Sequence, residues 1–179
     1  QTPLDDIPAE IPLLVIGSDY IDFSSAAAID VFLKKEGRAV FFVSGNKIDT
    51  KQKWTAATKT KDFLLDMLAG CGFYIQSNLI LDPINFRLVM SAVDSTGAKT
   101  VNYPFWIRIL QSGVEKTNPV FAAYSPLQMF WPSSITADTG KNKTVKTLAV
   151  TSPDSAVMVE SYDTDPFGNQ MKLFAASEK

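Results

Sequence analysis

The feature that most constrains this chain is residues 13–45, LLVIGSDYIDFSSAAAIDVFLKKEGRAVFFVSG, in which two short apolar runs flank an amphipathic segment. Residues 13–16 read as a strand with Gly17-Ser18-Asp19 at its carboxyl end. Ser24 or Ser25 is suited to cap a helix in which Ile29, Phe32 and Leu33 share a face at i, i+3, i+4 spacing. Gly37, just past Lys34 and Lys35, reads as its C-cap, with cations near the negative end of the helix. Residues 39–43 read as the next strand. Continuous apolar runs on either side of a helix predict parallel strands buried on both faces.

The remainder is read in the same way. Residues 46–61 are polar, carry Lys47, Lys51, Lys53, Lys59 and Lys61 around Trp54, and read as a soluble, mobile loop rather than a phosphate or single-stranded nucleic acid site. A helix is expected over 60–69, with Phe63, Leu64, Met67 and Leu68 apolar and Gly70 and Gly72 stopping it. Short extended pieces follow at 73–75 and 79–81, closed by Asp82-Pro83. Residues 86–93 and 101–110 read as a hairpin turning at 94–98, with Pro104 marking an edge strand or a bulge. Asn118-Pro119 opens a helical turn, 127–131 is apolar, and 138–143 is a loop. A strand is expected over 145–150, stopped by Thr151-Ser152-Pro153, with late extended segments at 157–162 and 171–174. The sum is one α/β domain over 13–179, with an α/β core at 13–82 and a β-rich extension at 83–179. Residues 1–12, rich in proline and acid, read as a linker entering it from a longer protein.

Composition removes whole classes of function. With 17 basic and 19 acidic residues the net charge is -2, so no global field draws nucleic acid or anionic lipid. No apolar run approaches the roughly 20 residues that cross a bilayer, and no signal peptide opens the sequence. There is no histidine and one cysteine, Cys71, which reads as a packing residue at a helix end. No internal disulfide, zinc or copper site follows from that inventory, and no cofactor is expected.

Several motifs invite chemistry. Asn46-Lys47-Ile48-Asp49 matches the tetrapeptide with which GTPases read guanine, but neither Gly97-Ala98-Lys99 nor Gly140-Lys141-Asn142 makes a phosphate loop, so it reads as a polar turn. Asp163-Thr164-Asp165-Pro166-Phe167-Gly168 starts like a calcium loop, yet Phe167 and Phe174 stand at ligand positions, and a solvated turn is expected. Tyr103, Phe105, Trp106, Phe130 and Trp131 form either core or a platform for glycan or peptide, in which Tyr103, Trp106 and Trp131 are the contact residues. The run 37–45 resembles the strand leading to the nucleophile elbow of class I glutamine amidotransferase-like proteins, with Ser44 where their cysteine sits. A serine hydroxyl needs a base, and Lys47 serves only if burial lowers its pKa. A degenerate hydrolase using Ser44 is thus the weaker reading beside a small residue closing a strand.

A resemblance covers most of the chain. Ile11-Pro12-Leu13-Leu14-Val15-Ile16-Gly17, the helix and turn at 29–38, Phe63-Leu64-Leu65-Asp66-Met67-Leu68 followed by Cys71-Gly72-Phe73 and Leu79-Ile80-Leu81-Asp82, and Leu148-Ala149-Val150-Thr151-Ser152-Pro153 stand in the order of one known family. The chain resembles the extracytoplasmic domain of the gliding-motility-associated ABC transporter auxiliary, substrate-binding-like, proteins. The resemblance implies a three-layer α/β sandwich on a mostly parallel sheet, amidotransferase- or flavodoxin-like, without catalysis. It also implies a periplasmic location, anchorage by segments outside this sequence, and work beside an ABC permease and ATPase. Ligands of α/β sheets meet the carboxyl ends of strands. Here that rim presents Gly17, Ser18, Asp19, Ser44, Gly45 and Asn46, the expected place for any small ligand; no metal and no nucleic acid is expected there.

Overall fold

The structure, a computed structural model, describes residues 6–17, 20–51, 54–91, 97–140, 144–159 and 163–168. Its first unit is the expected one. Strand β1 (Leu14–Ile16), helix α1 (Phe23–Lys34) and strand β2 (Ala39–Phe41) follow in order, and β1 runs parallel to β2 with Val15 opposite Val40. The N-cap of α1 is Asp22 rather than Ser24 or Ser25: its carboxylate accepts the Ser25 N–H at 2.7 Å and the Ser24 hydroxyl at 3.0 Å. At the other end, Glu36 N–H bonds the Leu33 carbonyl and Gly37 N–H the Phe32 carbonyl, a pair of bonds that needs a left-handed residue between helix and exit. That residue is Glu36, at φ 65°, and not the glycine. Gly37 is required for closeness instead, because a Cβ there sits 2.5 Å from the Phe32 ring.

The Asp22 cap makes an acid-sensitive contact. Hydrogen bonds from Ser25 hold its carboxyl below the ordinary carboxylate range. A depressed folded pKa contributes stability above the unfolded pKa, and that contribution disappears as pH falls through the folded value. Melting curves of the wild type and Asp22→Asn should therefore differ near neutrality and converge below about pH 4. Parallel curves down to pH 3 would remove this reading.

Helix α2 (Phe63–Gly70) is capped by Asp62, whose carboxylate accepts the Leu64 N–H at 3.0 Å. Lys59 sits 3.5 Å from the same carboxylate, both side chains largely buried. Ile16, Ile21, Ala26, Ile29, Phe32, Leu64 and Leu68 are buried together, and Leu14, Ala39 and Phe41 pack against them. Alternation along a strand sends Val15, Val40 and Phe42 to the opposite side, where all three are exposed. The parallel pair is thus covered on one face, not on both.

After β2 the architecture departs from the expectation. Residues 46–61 are not a mobile loop but hold a hairpin of β3 (Asn46–Asp49) and β4 (Thr55–Thr58). Strands β5 (Phe73–Ile75) and β6 (Leu79–Leu81) lie where they were expected, but their partners come from the far end of the chain. β5 pairs antiparallel with β10 (Ile135–Ala137), and β6 with β11 (Ala156–Met158). Strands β7 (Asn85–Ser91), β8 (Ala98–Ile109) and β9 (Leu127–Phe130) make a three-stranded antiparallel sheet with β8 in the middle. Pro119–Phe121 is a short 3-10 turn opened by the Asn118 side chain, as expected. The expected strand at 145–150 is reduced to a bridge between Val114 and Ala149. The tip of the β7–β8 hairpin, the end of the 157–162 segment and all of 171–174 lie outside the described residues.

The three-layer sandwich on a mostly parallel sheet is therefore overturned. Among the described residues β1–β2 is the single parallel pair, α1 and α2 are the α-helices, and the other sheets are small and antiparallel. The reason lies in the connections. A parallel neighbour needs a crossover of a dozen residues or more, and the link from β3 to β4 is too short for one, while β5 and β6 take antiparallel partners from the far end of the chain.

Pro104 marks a bulge, but inside a central strand rather than at an edge. Asn85 pairs with Ile107 while Phe86 pairs with Tyr103, so Pro104, Phe105 and Trp106 loop out of the β7–β8 ladder. The turn at 82–85 fills the gap: Asp82 N–H bonds the Pro104 carbonyl at 3.1 Å, and the Asn85 side chain accepts the Tyr103 N–H at 3.1 Å.

Candidate functional site

The loop after β2 turns Ser44, Gly45 and Asn46 inward. Ser44 Oγ donates to the Trp131 carbonyl at 3.1 Å and lies 3.3 Å from Ser133 Oγ. Ser133 Oγ accepts the Gly45 N–H at 3.0 Å, and Asn46 Nδ2 donates to the Asn78 carbonyl at 2.9 Å. Asn78 in turn clasps Ser134, accepting its N–H at 2.9 Å and donating to its hydroxyl at 2.8 Å. These short polar side chains form a buckle between three loops. Sequence reasoning missed Ser133 and Asn78, because small polar residues between apolar runs look like any turn. Of the other expected rim residues, Gly17 is exposed beside Phe42, and Ser18 and Asp19 lie outside the described residues.

The buckle bears on the Ser44 nucleophile. A reactive hydroxyl must hand its proton to a base, yet this one is directed at a backbone carbonyl. Lys47 is exposed, and along β3 it faces away from buried Asn46, so it is not placed to take the Ser44 proton. A fluorophosphonate probe is accordingly expected to leave Ser44 unmodified, and Ser44→Ala should cost about 1 kcal/mol of stability. Stoichiometric labelling at Ser44, read by mass spectrometry, would contradict the geometry. Asn46 to Asp49, read as a polar turn from sequence, is strand β3.

The aromatic residues converge into one cluster. Trp54, carried on the β3–β4 hairpin, packs edge-on against Tyr103 at 5.4 Å and Trp131 at 5.6 Å, and Trp106 meets Trp131 at 5.6 Å. Tyr103 and Phe105 are fully buried, Trp106 and Trp131 are half-buried, and Phe130 is exposed. The Tyr103 and Phe105 rings are spent wholly on their neighbours, which leaves Tyr103 no surface for a ligand. The Tyr103 hydroxyl donates to the Thr164 carbonyl at 2.6 Å and accepts the Trp131 indole N–H at 3.0 Å. Burial pushes its pKa far above the usual phenol range, with Asp165 and Asp163 adding to the shift, so it stays neutral. Thr164 also bonds the Trp54 carbonyl, which ties the 163–168 turn onto the cluster. In that turn the Asp163 and Asp165 carboxylates accept the N–H groups of Asp165 and Phe167, but Thr164 and Pro166 are buried against the rest of the protein, so it is not the solvated turn expected.

A second polar centre was not anticipated. Asp82 is completely buried, and among the described residues no cation pairs with it. Its carboxylate accepts the Ile84 N–H, the Ser152 N–H and the Ser152 hydroxyl, each at 2.8 Å. Asp82-Pro83 and Thr151-Ser152-Pro153 each looked like the end of a strand. Nothing in either stretch reveals that one carboxylate joins them.

Among the described residues no group of His, Cys, Asp and Glu side chains is placed to hold a metal ion, and no helix is long and apolar enough to cross a membrane. No curated protein and no solved structure matches the chain. A family model does: that of the ABC-type uncharacterized transport system matches residues 1–178. With nearly every residue inside that match, the chain belongs to this family of ABC transport auxiliary components.

Proposed function

We propose that this chain is a non-catalytic binding or scaffold domain of a membrane-anchored ABC transport system of the gliding-motility type. It acts on the extracytoplasmic side, next to a permease and an ATPase, with its anchor in segments outside this sequence. The observation that carries the non-catalytic half is the buckle: Ser44, Gly45 and Asn46 are spent on Ser133, Asn78 and the Trp131 carbonyl. Family membership supports the transport half. The mechanism is recognition, in which no covalent bond is broken.

The test is assembly. A tagged full-length protein expressed from its own locus should co-purify from detergent-solubilised membranes with a permease and an ATPase. It should also be digested by protease added to the outside of spheroplasts. Recovery as a solitary protein, or protection from external protease, would defeat the proposal.

A further inference from the structure

Between α1 and α2 lies an open trough of about 790 Å³. Its walls are two helical stripes. On α1, Phe23, Ala27, Asp30 and Lys34 recur at spacings of four, three and four residues; on α2, Phe63, Met67 and Gly70 recur at four and three. The floor is apolar, and Phe23, 68% exposed, closes one end by packing edge-on against Phe63 at 5.6 Å. Small residues keep the trough open: Ala27 is exposed, and a Cβ at Gly70 meets nothing within 4 Å. A stripe along the 12 residues of α1 is about 18 Å long, so an occupant of matching length spans about three helical turns.

The charges on the rim choose the occupant. Lys34 lies 2.6 Å from Asp30, so that pair is internally neutral. The Asp66 carboxylate lines the trough, is exposed, and has no ion-pair partner among the described residues. A surviving negative charge beside an apolar trough opposes an anionic lipid surface and complements a cation. Two facing stripes at helical spacing suit a third helix laid against them.

We propose that the α1–α2 trough docks an amphipathic helix of a partner protein, with an apolar ridge against Phe23, Phe63 and Met67 and a lysine or arginine against Asp66. The site is separate from the polar buckle and the aromatic cluster, and it does not depend on the transport reading.

The chain's single cysteine, Cys71, lines the same trough and reports on occupancy. The experiment uses stapled helical peptides of about four turns, with leucines at i, i+3, i+4 and i+7 and either lysines or glutamates on the flanks. Calorimetry measures affinity, and the rate of maleimide alkylation of Cys71 measures coverage. The lysine peptide is expected to bind with micromolar affinity, slow Cys71 alkylation severalfold, and outbind the glutamate peptide by about tenfold. Asp66→Lys, its fold checked by circular dichroism, should invert that preference. Equal binding of the two peptides, binding that leaves Cys71 alkylation unchanged, or no binding at all overturns the proposal. So does protection of Cys71 by anionic vesicles in place of the peptide, which assigns the trough to a membrane surface.

Discussion

Asp82→Ala is expected to remove about 3–5 kcal/mol of folding stability, a large share of the roughly 5–15 kcal/mol typical of a domain. The carboxylate accepts three hydrogen bonds in a fully buried position. Alanine leaves the Ile84 and Ser152 N–H groups without acceptors in a place water does not reach. It also loosens the turn at 82–85 that plugs the Pro104 bulge through the Asp82 N–H. Asp82→Asn keeps one carbonyl oxygen but turns an N–H₂ toward one of the three donors, so it should cost about half as much. Ser152→Ala loses only the hydroxyl bond, since the backbone N–H of residue 152 remains, and should cost about 1 kcal/mol. Urea unfolding midpoints at neutral pH order the three variants. An alanine variant within about 1 kcal/mol of wild type would show that Asp82 does not hold the turn to the Ser152 loop.

Gly45→Ala should be comparably damaging, at about 3 kcal/mol or more. The added Cβ falls 2.0 Å from the Gln76 carbonyl oxygen and 2.8 Å from its carbon, which are backbone atoms that no rotamer change can move aside. Relief requires the 44–46 loop to lift away, breaking the Gly45–Ser133 bond and the Lys59 N–H bond to the Gly45 carbonyl. Gly70→Ala is the contrasting substitution. It lies in α2 with open space around it, so alanine should stabilise the protein by about 0.5–1 kcal/mol through helix propensity. Opposite signs in the same urea assay support the close packing of the 44–46 loop. A neutral Gly45→Ala would mean that the loop does not press on Gln76.

How far the residues revealed the fold depended on how local the cause was. The α1 unit was legible because Ile29, Phe32 and Leu33 repeat at helical spacing between apolar runs. The cap was misplaced by two or three residues because Asp22, Ser24 and Ser25 are all good N-caps, and only the backbone path selects the carboxylate. Pro104 announced its bulge, since it cannot donate to a ladder. The hairpin at 46–58 was missed because its inward face mixes polar Asn46 with Ile48 and Ala56, an apolar alternation too short to stand out among the surrounding lysines. The aromatic residues were offered as platform or core; the structure packs them around a buried Tyr103, with Phe130 exposed at the margin.

Local patterning alone therefore dictated β1–α1–β2, α2 and the positions of β5 and β6, because helix periodicity and short apolar runs act within a few residues. Sheet partners were another matter. β5 and β6 have the same apolar character whether they extend a parallel sheet or accept β10 and β11, and backbone hydrogen bonding does not discriminate between partners. The Ser44–Ser133 contact spans 89 residues and the Asp82–Ser152 contact 70. Neither end carries a pattern that names the other, so only the folded chain, by burying these donors and acceptors together, settles where the polar centres lie.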